Sequence, residues 1–278
     1  MTNARIAGDD VPQDRSMGSD ANIAPELNRS ALLVIDMQAD FLDTGSSPVA
    51  GTVAVLPAIR RVLDAYRTAG RPILHVVRLY EGDDVDLPRR SLVAAGAQIV
   101  RPGSPGSQIE PRLLPSGAHQ LDPAALLDGR LQPLGEREWA MWKPRWSAFY
   151  RTPLHEHLQA LHVSTVVLSG CNYPNCPRAT IYGASERDYR IVLIEDAISR
   201  LLPNHLAEAT EIGVLHATSD QAADRLARTA EAAPATARRT VRTPPERATS
   251  SATGIACPRS HSTIRSSGSS LDIAQSPA

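Results

Sequence analysis

TVVLSGCNYPNCPR, residues 165–178, decides how the rest of the chain is read. Its first four residues form a short, largely β-branched apolar run, the pattern of a buried strand. Residues 169–175 carry Gly, Asn and Pro, so the strand ends in a turn. Pro177 suits the first position of a helix, where its missing N–H costs nothing; the spacing predicts that helix over 178–189, with Cys176 as its N-cap. A thiol there faces unpaired backbone N–H groups and the positive end of the helix dipole, which predicts a pKa below its free value of roughly 8.5. Strand, turn, nucleophile and helix follow in order. The alternative for the same residue is a buried structural cysteine.

Outward from this stretch, strands alternate with helices. Residues 31–36 (ALLVID) are a continuous apolar run closed by a carboxylate, the form of a central parallel strand. Residues 55–69 have helical spacing, with Leu56, Ile59, Val62, Leu63 and Tyr66 on one side and Gly70 at the end. Further strands are predicted at 72–79, 138–143, 163–168, 190–195 and 212–216, and helices at 152–161, 206–211 and 219–232. Residues 80–137 are rich in Pro, Gly and Asp and too long for a simple connection; they are expected to hold a short helix near 88–100 and a lid or pocket wall. The alternation implies a doubly wound α/β domain over residues 30–233, with a six-stranded parallel sheet covered on both faces. Residues 1–29 read as a disordered leader without an apolar segment, and 234–278, rich in Ser, Pro and Arg, as a disordered tail.

Composition excludes several functions. A formal net charge of -1 gives no general affinity for nucleic acid or acidic membranes. No apolar run approaches the roughly 20 residues that span a bilayer. Three cysteines make no disulfide framework; Cys257 lies in the tail, and Cys171 and Cys176 are read as thiols in a reducing cytoplasm, with a redox pair as the rival reading. No phosphate-binding glycine loop is present, so no nucleotide cofactor is expected. Of the 29 basic residues only Lys143 is lysine. Where arginine is the default cation, a lone lysine suggests a task for a compact ammonium.

In an open parallel sheet, ligands bind beyond the carboxyl ends of the strands, and Asp36, Lys143 and Cys176 all fall at such ends. Asp36 beside a thiol can act as general base, with Lys143 holding that carboxylate charged; a turn-capping role is the alternative for Asp36.

These stretches resemble the isochorismatase-like cysteine hydrolases: ALLVIDMQADFL (31–42), WKPRWSAFYRTPL (142–154) and SGCNYPNCPRATIYGASERDYRIVLIEDAIS (169–199) match the family's three motifs in order. The resemblance implies a Rossmann-like three-layer α/β/α fold, a catalytic set of Asp36, Lys143 and Cys176, and a cis peptide at Cys171–Asn172. It also implies an oxyanion hole from the N–H groups of Asn172 and Cys176, with hydrolysis of an amide through a thioester. Phe41, Trp146, Phe149 and Tyr150 are candidate pocket walls, or else ordinary core aromatics. The metal-binding Asp-x-His pair of the nicotinamidase branch has no counterpart, so no metal is expected. The 143–154 stretch is similar to that of ureidoacrylate and N-carbamoyl amidohydrolases, and the polar turn and long insertion resemble the lactam-opening streptothricin hydrolases. The resemblance further implies a homodimer or tetramer acting on a small amide. A catalytically silent binding protein is the remaining alternative.

Overall fold

The computed structural model of the chain describes residues 20–232. Seven strands form one sheet: β1 (Ser30–Ile35), β2 (Ile73–Val77), β3 (Gln132–Gly135), β4 (Glu138–Trp142), β5 (Thr165–Gly170), β6 (Arg190–Ile198) and β7 (Leu215–Ala217), ordered β3-β4-β2-β1-β5-β6-β7. β1 is buried along its whole length and pairs in parallel with β2 and β5, setting Leu32 beside both Ile73 and Val167. Successive residues of β1 face opposite ways. Leu32 and Val34 pack with Ile59 and Val62 of α1 (Leu56–Thr68) and Leu226 of α7 (Ser219–Ala232). Leu33 and Ile35 pack with Leu158 of α4 (Leu154–Ala160), Ile181 of α5 (Cys176–Ser185) and Ala209 of α6 (Pro203–Glu211). A strand apolar on both sides needs helices on both faces, and the three layers follow from that.

The structure adds to the expected six parallel strands a seventh, β3, antiparallel to β4 at the sheet edge. Its sequence, QPLG, carries no strand signal: Pro133 has no N–H to donate, and the register shifts between Pro133 and Gly135. Edge strands tolerate both. Two further helices, α2 (Leu87–Ala94) and α3 (Pro123–Leu127), lie in the long insertion after β2. α5 begins one residue earlier than its sequence suggests: Asn175 is the N-cap and Cys176 the first helical residue.

Part of the expected leader, residues 20–29, lies within the described residues. There the Glu26 N–H donates to Thr165 Oγ1 at 2.9 Å while Arg29 Nε donates to the His162 carbonyl at 3.1 Å. The expected tail, with Cys257, and residues 1–19 lie outside the described residues.

Strand order reverses at β1: β2 and β4 lie on one side, and β5, β6 and β7 on the other. The backbones of β1 and β5 close tightly at their carboxyl ends. Gly170 has φ +117°, and a Cβ there would run into the backbone of Ile35. Gly170→Ala is therefore expected to cost about 3 kcal/mol or more in urea unfolding, and a loss under about 1 kcal/mol would show that the junction has slack.

Candidate active site

The reversal between β1 and β5 leaves a crevice at the carboxyl end of the sheet, where ligands bind in such folds. Three chain segments deliver side chains into it. Asp36 follows β1 directly, with φ +53° and its N–H donating to the Val76 carbonyl at 2.8 Å. Lys143 follows β4 directly and is fully buried. Adjacent strands are spaced about 4.8 Å apart, so Lys143 must reach roughly 10 Å across the end of β2 to meet β1. Its four-carbon stem does so: Nζ donates to Asp36 Oδ2 at 2.9 Å. Asp36 Oδ1, also buried, has no hydrogen-bond partner among the described residues. Cys176, on the first turn of α5, lines the same crevice as Asp36.

The electrostatics of the sulfur differ from the sequence expectation. Burial pushes the Cys176 thiol well above its ordinary range, and the neighbouring Asp36 carboxylate adds to the rise; Lys143 and Arg78 oppose it without prevailing. The helix N-terminus had suggested a lowered value. A closed site and an adjacent anion outweigh it, so the resting group is a thiol. Cys171 is likewise buried and pushed up to about 11 by burial, against hydrogen bonds from Thr52 and Ser199. Both are free thiols.

The Cys171–Asn172 peptide is cis, at the position the resemblance implied. Among the described residues the backbone N–H groups of Asn172 and Cys176 have no acceptor, and both residues line the crevice. Asn172 Oδ1 is a second buried acceptor without a partner.

Of the four candidate wall residues, Phe41 and Trp146 line the cavity, which measures about 60 Å³. Tyr150 lines a wider apolar groove of about 450 Å³ beside it, with Leu87 and Trp146. Phe149 does not reach either. It stacks on Tyr189 with ring centroids 5.6 Å apart and lies beneath the Arg187 guanidinium, against α5 at Gly183. Phe149 is a core residue.

The remaining wall was not singled out from the sequence. Arg78, just past β2, is buried and forms an ion pair with Asp86, the N-cap of α2, which also accepts from Tyr80 Oη at 2.9 Å. Arg78 Nη1 donates to the Lys143 carbonyl at 3.1 Å, tying this pair to the first. Gln38 staples the loop after β1 to the end of β2: its Nε2 donates to the Arg78 and Ser107 carbonyls, and its Oε1 accepts from the Arg78 N–H at 2.7 Å. Arg89, on the first turn of α2, completes the lining. The strand-end rule that picked out Asp36 applies equally to Arg78. Arg89 carries no such signal. Among the described residues no three His, Cys, Asp or Glu side chains converge as metal ligands, and no helix is long and apolar enough to cross a membrane.

A parallel sheet whose reversal point gathers a thiol, a carboxylate and an ammonium describes a class of α/β proteins. Comparison narrows it to one. Residues 30–231 match the isochorismatase domain. The chain is 32% identical over 213 residues to a probable inactive nicotinamidase of Arabidopsis thaliana, covering 74% of this chain and all of that protein. It is 30% identical over 205 residues to a ureidoacrylate amidohydrolase of Methylorubrum extorquens, covering 67% and 76% of the two. Among solved structures, N-carbamoylsarcosine amidase from Thermoplasma acidophilum superposes with a TM-score of 0.55 at 27% identity, covering 69% of this chain and 97% of that one. An isochorismatase family protein from Desulfovibrio vulgaris gives 0.60 at 31%, covering 72% and 98%. The chain belongs to the isochorismatase-like hydrolase family.

The charge arrangement gives a prediction with a definite sign. Because the Asp36 carboxylate disfavours the thiolate, Asp36→Asn should move the pH midpoint of Cys176 labelling by iodoacetamide downward, read by mass spectrometry of the labelled peptide across a pH series. The midpoint reports the charge on the sulfur and is separate from any loss of rate on removing a base. A midpoint that stays or rises in a folded variant would mean that the carboxylate does not act on the sulfur's charge.

Proposed function

We propose that the protein is a cysteine amidohydrolase that cleaves a C–N bond of a small amide without a metal or nucleotide. The observation that carries this is the half-occupied Asp36 carboxylate: Lys143 holds one oxygen at 2.9 Å, and the other, unpaired and buried, shares the crevice with the Cys176 thiol. A buried acceptor without a donor is costly, and a thiol that must lose a proton supplies one.

In this reading the Cys176 proton passes to Asp36 Oδ1 as the sulfur attacks the amide carbon. The oxygen of the tetrahedral intermediate accepts from the N–H groups of Asn172 and Cys176, a contribution of roughly 3 kcal/mol per donor in comparable sites. Asp36 returns the proton to the departing nitrogen, the C–N bond breaks and a thioester remains. Water then gives a proton to Asp36 and its oxygen to the acyl carbon, and the sulfur leaves and regains its proton. The sum is amide plus water to carboxylic acid plus amine. Asn172 Oδ1, an acceptor without a donor, suits an N–H of the substrate.

The ureidoacrylate and N-carbamoylsarcosine enzymes among the relatives support linear ureido or carbamoyl amides as substrates. In these the carbonyl carries two C–N bonds, and the same steps release either ammonia or the amino-acid amine first, with a carbamate as the second product. A streptothricin-type lactam is the alternative that the same steps would open. A cytoplasmic location and a dimer or tetramer accompany this reading. The Cys171 thiol, pushed up to about 11 by burial, weighs against the redox pair, which needs both sulfurs to react.

The test is release of ammonia or amine across nicotinamide, ureido acids, N-carbamoyl amino acids and lactam antibiotics. Cys176→Ala and Asp36→Asn should each lower kcat on the accepted amide by roughly a thousandfold or more, while Cys171→Ala retains most activity. Intact mass should show an adduct on Cys176. Hydrolysis of isochorismate alone, or full activity in Cys176→Ala, would overturn the proposal.

A further inference from the structure

Counting ion pairs around the crevice leaves one cation over. Lys143 is paired with Asp36, Arg78 with Asp86, and Arg145, at the rim, with Asp84 at 3.2 Å. Arg89 lines the cavity and pairs with no carboxylate among the described residues. Asp86, the nearest acid along the chain, is already engaged by Arg78 and Tyr80.

Nor does the Arg89 side chain hang free. Its Nη1 donates to Ser47 Oγ. Ser47 is held by its own N–H, which donates to the Asp40 carbonyl at 2.9 Å, and the buried Asp40 carboxylate accepts from the N–H groups of Ser46 at 3.2 Å and Val100 at 2.6 Å. The loop after β1, tied through Asp40 to Val100 of the insertion, therefore holds Ser47 and with it the guanidinium in place. The backbone of α2 anchors it as well, through the Arg89 N–H to the Asp86 carbonyl at 2.7 Å. One N–H of the fork is used; the others remain for a ligand. A half-buried, preorganised guanidinium with no counter-ion is the chemistry of a carboxylate site, because its planar fork matches a carboxylate in two parallel hydrogen bonds.

We propose that Arg89 determines specificity by binding a carboxylate on the substrate, so that the preferred amide is an anionic one, such as a ureido acid. This deepens the amidohydrolase reading and rests on it. The reactive carbonyl sits at Cys176 and the carboxylate at Arg89, which line one small cavity. Neutral amides of the same shape leave Arg89 unpaired and are bound less well.

The experiment uses the full chain and two matched probes, N-carbamoylglycine and its methyl ester. Binding to Cys176→Ala by calorimetry is read separately from turnover by the active protein. The acid should bind the Cys176→Ala protein roughly tenfold to a hundredfold more tightly than the ester, and adding Arg89→Gln should collapse that ratio. In the active protein Arg89→Gln should raise KM for the acid by the same factor with little change in kcat, and Arg89→Lys should restore part of the preference. Equal binding of acid and ester, no binding of either to folded Cys176→Ala, or equal losses on both with Arg89→Gln, would overturn the assignment. Acid-selective binding that needs Arg89, without turnover of any amide, would instead sustain the carboxylate site and sink the hydrolase reading.

Discussion

The buried ion pair between Lys143 and Asp36 is the constraint on which the rest of the crevice depends. Neither charge can sit there alone: taking an ion out of water costs several kcal/mol, and removing one partner of a buried pair typically costs about 3–5 kcal/mol. Their 2.9 Å contact ties β4 to β1 across the intervening β2. It also divides the carboxylate into one oxygen held by lysine and one left for a proton. Arg78 reinforces the arrangement by donating to the Lys143 carbonyl while paired to Asp86, so the two ion pairs form one connected structure rather than two separate ones.

That arrangement explains why a thiol at the start of a helix is not a thiolate. The positive end of α5 and the Lys143 ammonium favour the anion, but burial and the Asp36 carboxylate oppose it and prevail. In the proposed reaction the proton then leaves the sulfur only as the carbon is attacked, and the base that takes it is already in position. A sulfur held protonated at rest is also protected from adventitious oxidation, which follows thiolate character and exposure.

The sheet supplies the proposed reacting groups and the insertion supplies part of the walls. Asp36, Lys143 and the turn before Cys176 stand at strand ends and are held by parallel pairing. Tyr80, Asp86 and Arg89 come from the long segment after β2, whose loops are stitched together through Gln38 and Asp40. Rigid chemistry on strands beside variable walls on loops is the usual division of labour in α/β proteins.

The layered α/β class, the six parallel strands and three candidate residues at strand ends were legible in the sequence because each rests on local pattern: apolar runs such as ALLVI, Gly–Pro punctuation, a lone lysine after an aromatic strand. β3 was not, since QPLG has no strand pattern and pairs only because β4 offers an edge. Phe149 could not be told from Trp146 and Tyr150 by type; only packing against Gly183 and Tyr189 sends it to the core. The protonation of Cys176 and the unpaired charge of Arg89 were likewise undecided, because both depend on burial and on which distant charges are already taken. Local pattern determines which groups the chain offers to the crevice, while the field they meet there is a sum over neighbours that only the folded chain brings within a few ångströms.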